Sequence, residues 1–289
     1  MDFLRPLITT IALRHIPDGQ VIHTLTGHTH LVWGVAFNPA GDTLASGSMD
    51  NTIKLWDVQS GSLLKSWEAP TAHSDGALRG VLSVGFSPDG QILAAAGVDE
   101  IWLWRVADGS LLLTLSDRPH LPTIAFNPAG QMLATRNQDE AIELWRVSDG
   151  QKITTLPDAD PGLCPPVFSA DGQFIAACQR RGTINLLRVS DGKVATTIAG
   201  HPGGAWRVTF GSASGEAILA SVGTEGQTGS GENVQPLTAP RLWRVKDGQL
   251  LKTFKAKSGF YQAVALSPSG QWLATGGDYA INLWAVAAK

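Results

Sequence analysis

Three residues near the start of the chain have the side-chain types of a hydrolytic triad: His28, Ser46 and Asp50. In such a triad a histidine accepts the serine proton and a carboxylate orients the histidine, so that the serine oxygen can attack a carbonyl group. Trp56 follows, and its indole N–H is a further hydrogen-bond donor. The stretch therefore offers either a nucleophile for acyl transfer or a chain of buried polar groups that satisfy one another.

The same residue types return later in the chain with progressive loss. An active site occurs once, whereas a structural network can recur and decay, so we interpret His28, Ser46, Asp50 and Trp56 as structural and predict that the chain has no catalytic residue and is not an enzyme. The later sets are Thr135, Asp139 and Trp145 with His120, then Gly200, His201, Ser221 and Trp243 without an acid, then Thr275 and Trp284, while Ala177 and Leu187 stand where the set is lost.

The stretch from Gly27 to Trp67 reads as four short β-strands separated by turns. The first turn, Asn38-Pro39-Ala40-Gly41, places a proline at the turn start and a glycine at the left-handed position. Weaker copies fill the rest of the chain, with a period of 41 or 42 residues broken by two insertions. The leucines that align the third strands are Leu13, Leu55, Leu103, Leu144, Leu186, Leu242 and Leu283.

The Gly27-His28 opening and the Trp56-Asp57 close make this stretch resemble a WD40 repeat, and the resemblance extends over essentially the whole chain. It implies an all-β fold, a WD40-type β-propeller of four-stranded antiparallel blades. We expect a single domain over residues 1–289, with a half repeat and closure strand in residues 1–26 and six repeats in residues 27–289. The resemblance also implies that Asp50, His28, Ser46 and Trp56 are hydrogen-bonded in that order.

The number of blades depends on how the N-terminal half repeat is used. Seven third strands but only six inner hairpins can be found, since Ile8 to Leu25 supplies a third and a fourth strand alone. WD40 propellers commonly pair such a strand with the last blade, so we expect Gln20 to Leu25 to complete a sixth blade and remove a free sheet edge. The alternative, seven blades with one incomplete, needs two inner strands from upstream sequence of a longer protein or from a partner chain.

Two cysteines are predicted to face each other across an inner hairpin. If Phe168 faces Phe174, the register places Cys164 opposite Cys178, close enough for a disulfide. The alternative is two reduced, buried thiols, which is the usual state in a cytosolic protein.

Partner-binding candidates lie four residues before the last apolar residue of each inner strand, at the rim of the channel that the resemblance implies. Two of them, Trp33 and Trp206, are aromatic residues of the kind that dominate binding interfaces, although both can instead pack between blades. The candidate top face comprises Trp33, Leu82, Trp206 and Gln262 at this position, with Arg136, Arg180 and Arg207 close by, and Pro122 and Cys164 hold the same strand position. Two polar insertions, residues 68–79 and 223–240, are expected to be loops on the same face.

Composition and net charge indicate which classes of partner to expect. A net charge of −3 gives no electrostatic reason to expect nucleic acid or a membrane surface, and no apolar run is long enough to cross a bilayer. No nucleotide fingerprint or metal-ligand spacing is present, so we expect no metal and no cofactor. The sequence thus predicts a cytoplasmic, non-enzymatic scaffold that binds a protein or peptide, within a larger assembly or beside neighbouring domains. The alternative is a ligand-sensing or enzyme-associated regulatory propeller that uses its central channel.

Overall fold

A computed structural model defines the fold as all-β, and no helix occurs among the residues that it describes. The described residues therefore include no helix long and apolar enough to cross a membrane. The structure describes residues 9–16, 18–70, 80–98, 100–115, 123–137, 139, 141–156, 164–213, 215–228, 235–255, 261–277 and 280–286.

The chain forms two compact units, of which the first comprises residues 1–139 and 143–154. It holds a two-stranded hairpin (β1, β2) and three four-stranded antiparallel sheets: blade 1 (β3–β6), blade 2 (β7–β10) and blade 3 (β11–β14). The strands are β1 (Ile11–Arg14), β2 (Val21–Leu25), β3 (Val32–Phe37), β4 (Thr43–Ser48), β5 (Thr52–Asp57), β6 (Leu63–Glu68), β7 (Ser83–Phe86), β8 (Ile92–Ala96), β9 (Ile101–Arg105), β10 (Leu111–Leu115), β11 (Ile124–Phe126), β12 (Met132–Arg136), β13 (Ile142–Arg146) and β14 (Lys152–Leu156).

The second unit comprises residues 140–142 and 155–289. It holds blade 4 (β15–β18), blade 5 (β19, β20, β22 and β23, with β21 paired to β20) and blade 6 (β24–β26). The strands are β15 (Val167–Phe168), β16 (Phe174–Cys178), β17 (Ile184–Arg188), β18 (Val194–Ile198), β19 (Ala205–Ala213), β20 (Glu216–Thr228), β21 (Gln235–Thr238), β22 (Arg241–Arg244), β23 (Leu250–Thr253), β24 (Tyr261–Leu266), β25 (Trp272–Gly277) and β26 (Ala280–Ala285).

The inner turns have the geometry that their residues predict. In blade 1 the Gly41 N–H donates to the Asn38 carbonyl at 3.0 Å, and Gly41 has a φ of 76° that favours glycine. The Asn38 side chain accepts from the Thr43 N–H at 3.1 Å and so closes the turn before β4 begins. Short local hydrogen bonds therefore fix where β3 ends and where β4 starts.

The core lies between consecutive sheets. One face of blade 1 buries Ala45 and Leu55, and these residues cluster with Val84, Leu93 and the partly buried Phe86 of blade 2. Small residues of one sheet thus meet large residues of the next. The close approach is visible at Gly34, where an added Cβ would lie 2.9 Å from the backbone Cα of Ser83.

The predicted fold class, a β-propeller of antiparallel blades, is confirmed. The closure strand is placed differently from our expectation: β2 pairs with β1, with Ile11 opposite Leu25, and the described part of blade 6 has three strands. The physical reason is local. β1 directly precedes β2, so a short turn pairs them at little entropic cost, and the hairpin buries Leu13 and Leu25 against Leu44 and Trp56 of blade 1.

Cys164 and Cys178 form a disulfide, with their Cα atoms 5.7 Å apart. The predicted register was wrong by one residue at the turn, because Phe168 faces Ile175 rather than Phe174. The cysteines still meet because the first strand gains one residue: three positions separate Cys164 from Val167, whereas two separate Cys178 from its partner Ala176.

The insertion at residues 223–240 is not simply a loop. β20 continues to Thr228 and pairs with β21, with Thr224 opposite Thr238, so most of the insertion extends blade 5 as a β-hairpin. The other insertion, residues 68–79, lies largely outside the described residues, which stop at 70 and resume at 80.

We predict that the N-terminal hairpin stabilises blade 1 through Leu25. Leu25 is 1% exposed, so Leu25→Ala should lower the free energy of unfolding by about 2–5 kcal/mol through lost burial and a residual cavity. Urea unfolding followed by tryptophan fluorescence measures the change. The control is Ile22→Ala on the same strand, where the side chain is 52% exposed and little change is expected. Equal stability of the two variants would contradict a role for the hairpin in the core.

Candidate functional site

His28 lies between two acceptor-bearing side chains in blade 1. Its Nδ1 is 2.9 Å from Asp50 Oδ2, and its Nε2 is 2.7 Å from Ser46 Oγ. Gly27 allows this placement, because a Cβ at that position would lie 3.3 Å from the Trp56 ring. The indole N–H of Trp56 donates to Ser46 Oγ at 2.8 Å. The four side chains thus form one hydrogen-bonded chain from the carboxylate to the indole.

The proton positions follow from the partners. The indole N–H can only donate, so Ser46 accepts from Trp56 and is left to donate its own proton to His28 Nε2. His28 then donates from Nδ1 to the Asp50 carboxylate. This assignment uses a neutral imidazole. Burial lowers the pKa of His28 below its ordinary value, against the opposing effect of Asp50, and so favours the same neutral form.

Asp50 is held as a carboxylate. Burial by itself would raise its pKa, but donors at Thr52, at the Thr29 backbone N–H and at His28 lower the pKa to about 2. Thr52 donates its hydroxyl to Asp50 Oδ1 at 2.6 Å, and the Thr29 N–H donates to Oδ2 at 2.8 Å. The carboxylate therefore ties the residue after His28 to the turn before β5.

His28, Ser46 and Asp50 have the geometry of a nucleophilic triad, but they are buried like residues of a hydrophobic core. Ser46 is 0% exposed, and the side chains of His28 and Asp50 are 1% and 6% exposed. A substrate carbonyl cannot reach Ser46 Oγ, and Trp56 already occupies one of its hydrogen-bonding directions. The arrangement can orient strands but offers no accessible nucleophile.

Blade 5 contains a second complete set of hydrogen-bonded side chains, although the sequence analysis indicated that this set has no acid. His201 Nδ1 is 2.5 Å from Glu225 Oε1, His201 Nε2 is 2.8 Å from Ser221 Oγ, and Trp243 Nε1 donates to Ser221 at 2.8 Å. Glu225 follows Ser221 by four residues, as Asp50 follows Ser46. This spacing is the signal in the sequence that identifies Glu225 as the acid of the set in blade 5.

Arg241 adds a positively charged side chain to the hydrogen-bonded set in blade 5. It donates to Glu225 and to the Gly200 carbonyl. Burial, together with the positive charge of Arg241, lowers the pKa of His201 to about 3. Burial also raises the pKa of Glu225, while Arg241 acts in the opposite direction. Here too a neutral imidazole joins an acid to a serine.

The remaining blades keep only parts of the network. Thr135 accepts from Trp145 at 2.9 Å in blade 3, and Thr275 accepts from Trp284 at 3.0 Å in blade 6. Asp139 is exposed, and His120 lies outside the described residues. In blade 2 an alanine, Ala95, takes the hydroxyl position, and in blade 4 the apolar Ala177 and Leu187 are both buried. The Nε1 atom of Trp104 in blade 2 is buried with no hydrogen-bond partner among the described residues.

Three of the rim candidates are the extra residues of β-bulges. In β3, Val32 faces Ser48 and Gly34 faces Gly47, so Trp33 has no counterpart. In β19 and β24 the register shifts in the same way, and it leaves Trp206 and Gln262 as the extra residues. Such bulges re-aim a side chain and often lie beside functional sites.

The rim candidates differ in accessibility. Trp33 is 63% exposed, whereas Trp206 is half-buried and donates its indole N–H to Thr224 at 2.8 Å. Arg136 does not reach the surface, since only 1% of it is exposed. Leu82 is half-buried, Arg180 and Arg207 are exposed, and the side chain of Gln262 and all of Pro122 lie outside the described residues. Within the described residues no three His, Cys, Asp or Glu side chains cluster as metal ligands.

Comparisons with known proteins identify the repeats. The family model "WD domain, G-beta repeat" matches residues 19–57, 62–102 and 248–285. The chain is 42% identical over 76 residues to the eukaryotic translation initiation factor 3 subunit I of Neurospora crassa. The aligned residues make up 26% of this chain and 20% of that protein. It is 36% identical over 107 residues to the periodic tryptophan protein 2 homolog of Schizosaccharomyces pombe. Here the aligned residues make up 37% of this chain and 12% of the relative. The chain thus matches a fifth or less of the length of these relatives.

We predict that Ser46 stabilises blade 1. Ser46→Ala removes the acceptor of the Trp56 N–H and the donor to His28, so two buried polar groups lose a partner and the free energy of unfolding should fall by about 1–3 kcal/mol. Urea unfolding measures it. Ser62→Ala, at an exposed serine of the same blade, is the control and should change stability by less than about 0.5 kcal/mol. A Ser46→Ala protein as stable as the control would show that the chain of hydrogen bonds contributes nothing.

We predict that Asp50 makes the stability of the fold depend on pH in acid. Because the pKa of Asp50 is lowered to about 2 from its ordinary 3.8, its carboxylate stabilises the fold above about pH 4, and this stabilisation is lost as the pH falls towards 2. Asp50→Asn should therefore reduce the loss of stability between about pH 4 and pH 2. Unfolding free energies of both proteins across this range provide the measurement. Parallel pH profiles would contradict the assignment.

Proposed function

The chain carries WD40 repeats, and we propose that it is a non-enzymatic scaffold that binds a protein or peptide on the top face, where the inner strands begin. Trp33 is the observation on which the proposal rests. It is 63% exposed and is the extra residue of a β-bulge at the start of β3. A large exposed aromatic side chain on a fixed strand loses little entropy on binding and is a typical anchor of a protein interface.

The second unit offers contacts of another kind at its own strand ends. Arg180 and Arg207 are exposed there, and arginine is frequent among the residues that dominate binding. Trp206 is bonded to Thr224, the residue at which the added β20–β21 hairpin begins. This hairpin therefore extends from the strand end that carries the exposed Arg207, and such added segments often determine what a rigid scaffold binds.

The absence of an enzymatic function is part of the proposal. The triad-like set in blade 1 is buried, and blade 5 repeats it with Glu225 in place of the aspartate. A constellation that occurs twice, with a different acid and with no exposed serine, supports a structural role rather than catalysis.

Partners and location are inferred from the relatives. One relative is named as a subunit of a translation initiation factor, which supports a protein partner within an assembly and a cytoplasmic location for this chain. Disulfides are rare in that compartment. Cys164 and Cys178 are both 0% exposed, and this burial shields their bond from thiols in solution.

The test compares partners captured from an extract of the source cells by the parent chain and by Trp33→Ala. We expect binding of the captured protein to weaken by about tenfold or more in Trp33→Ala, as for a hot-spot residue. The control is Leu64→Ala, because Leu64 is 52% exposed on an outer strand of the same blade and should not matter. Both variants are first shown to unfold at the temperature of the parent. Capture that is equal in all three proteins would exclude Trp33 as the anchor.

A further inference from the structure

A polar side chain of one sheet bonds to backbone carbonyl groups of the next sheet at several places in this chain. Lys65 of β6 donates from Nζ to the carbonyl oxygens of Val106 and Ala107, at 2.9 and 2.5 Å, in the turn between β9 and β10. His23 of β2 donates from Nε2 to the Gln59 carbonyl at 2.8 Å, in the equivalent turn of blade 1. The donor satisfies turn carbonyl groups that have no partner in a strand ladder.

The second unit holds a third contact of this kind. Lys252 of β23 donates to the Ala285 carbonyl, at the end of β26, at 3.2 Å. Lys252 lies opposite Leu242 of the neighbouring strand. Lys65 lies opposite Leu55 in the same manner. The donor therefore comes from one fixed position of the outer strand, the position opposite the leucine of the third strand.

Leu113 holds this position in blade 2, since it lies opposite Leu103. A leucine side chain has no donor, so β10 offers no hydrogen bond to the turn of blade 3. In that turn Val147 and Ser148 correspond to the two acceptor residues of blade 2, because each pair follows the sequence Leu-Trp-Arg or Leu-Trp-Arg-Val in its repeat. Among the described residues no hydrogen bond reaches the carbonyl oxygen of Val147 or Ser148.

A groove of about 760 Å³ opens where the lysine is missing, and it lies entirely within the first unit. Val147 and Ser148 line one side of it. The other walls are mostly apolar and include Leu112, Leu113, Met132 and Ile153. The groove therefore combines unused carbonyl acceptors with apolar walls, which is the lining that suits a ligand with one polar head and an apolar body.

Arg146 also lines the groove, but it does not exclude a second cation. Its Nη1 donates to Asp149 at 2.8 Å, and the two opposite charges compensate each other. Arg105 is paired with Asp108 in the same way at 3.1 Å, and Lys65 binds beside that pair. The groove thus has the electrostatic surroundings in which this chain already holds an ammonium group.

We propose that the groove between blades 2 and 3 binds a lysine side chain of a partner protein. The ammonium group donates to the carbonyl oxygens of Val147 and Ser148, as Lys65 does in the preceding turn. A groove of this volume suits a ligand larger than one side chain, so the residues beside the lysine are apolar and contact Met132 and Ile153. A free alkylamine would leave these walls uncovered.

This site is a second surface, apart from the one in the proposed function. It lies at the turn between a third and a fourth strand, whereas Trp33 lies at the start of a first strand. In an antiparallel sheet of four strands these two places are at opposite ends of the sheet. Each surface can therefore be tested without the other.

The experiment uses a defined probe, the acetylated and amidated tripeptide Leu-Lys-Leu. The matched peptide replaces its lysine by norleucine, which has the same carbon chain without the ammonium group. Both are titrated into the full chain, and the amide resonances of the isotope-labelled protein report binding. We expect saturable shifts in residues 147–150, none in residues 106–109, where Lys65 already binds, and affinity about tenfold or more weaker for the norleucine peptide.

A substitution in the chain gives a second test. Leu113→Lys restores the donor within the chain, so it should compete for the two carbonyl groups and weaken binding of the lysine peptide by about tenfold or more. Leu111→Lys is the control, because Leu111 is 40% exposed on the same strand and lies opposite Trp104, on the other face of the sheet. It should bind like the parent. Thermal unfolding first shows that both variants are folded.

Four results would overturn the proposal. The lysine peptide fails to bind the parent, as it would if another lysine of the chain filled the groove. The norleucine peptide binds equally well, so that the groove is only apolar. Butylammonium alone binds as tightly as the peptide, so that a free amine is the ligand. Leu113→Lys binds the peptide as well as Leu111→Lys does. The peptide comparison requires no variant, and none of these results depends on Trp33, so the proposed function is tested separately.

Discussion

Each four-stranded sheet in this chain has two apolar faces and cannot bury either of them alone, so the fold depends on face-to-face packing between consecutive sheets. The packing is asymmetric. Alanines and glycines of one sheet meet valines, phenylalanines and tryptophans of the next, as where Ala45 and Leu55 of blade 1 cluster with Val84 and Phe86 of blade 2. Small residues on one side allow the backbones to approach closely, and the large residues opposite fill the space, which gives the dense packing of a protein interior.

The hydrogen-bond chains solve a different problem, which is how to fix the segment that leads into each inner strand. In blade 1, His28 is tied to Ser46 and Asp50, and so the residues before β3 are joined to β4 and to the turn before β5. Blade 5 reaches the same result with Glu225. Blade 4 has lost the polar set, and there a disulfide between Cys164 and Cys178 joins the start of the inner hairpin to its end. A covalent link thus stands in blade 4, whereas blades 1 and 5 use hydrogen bonds.

The same constraint explains where the surface departs from a regular repeat. Val84 and Val208 are buried in blades that follow a four-stranded sheet, whereas Val35 and Phe37 are exposed in blade 1, which follows the β1–β2 hairpin in the described part of the chain. Bulges at the strand starts re-aim single side chains without disturbing the packed part of the strand. Side chains at the strand ends can therefore change while the sheet-to-sheet contacts stay intact.

The sequence by itself determined the repeat, the turns, the strand order within each blade and the residues of the blade 1 network, because turn chemistry and alternation act over a few residues. It did not determine that the β1–β2 hairpin packs against blade 1, that Arg136 is buried, or that one extra residue brings Cys164 to Cys178. Each of these depends on contacts between residues distant in sequence or on a register shift of one position, which moves side chains from one face of a strand to the other. Local pattern fixes which strands form, and only the packing of sheets against one another decides which partner each strand edge and each face obtains.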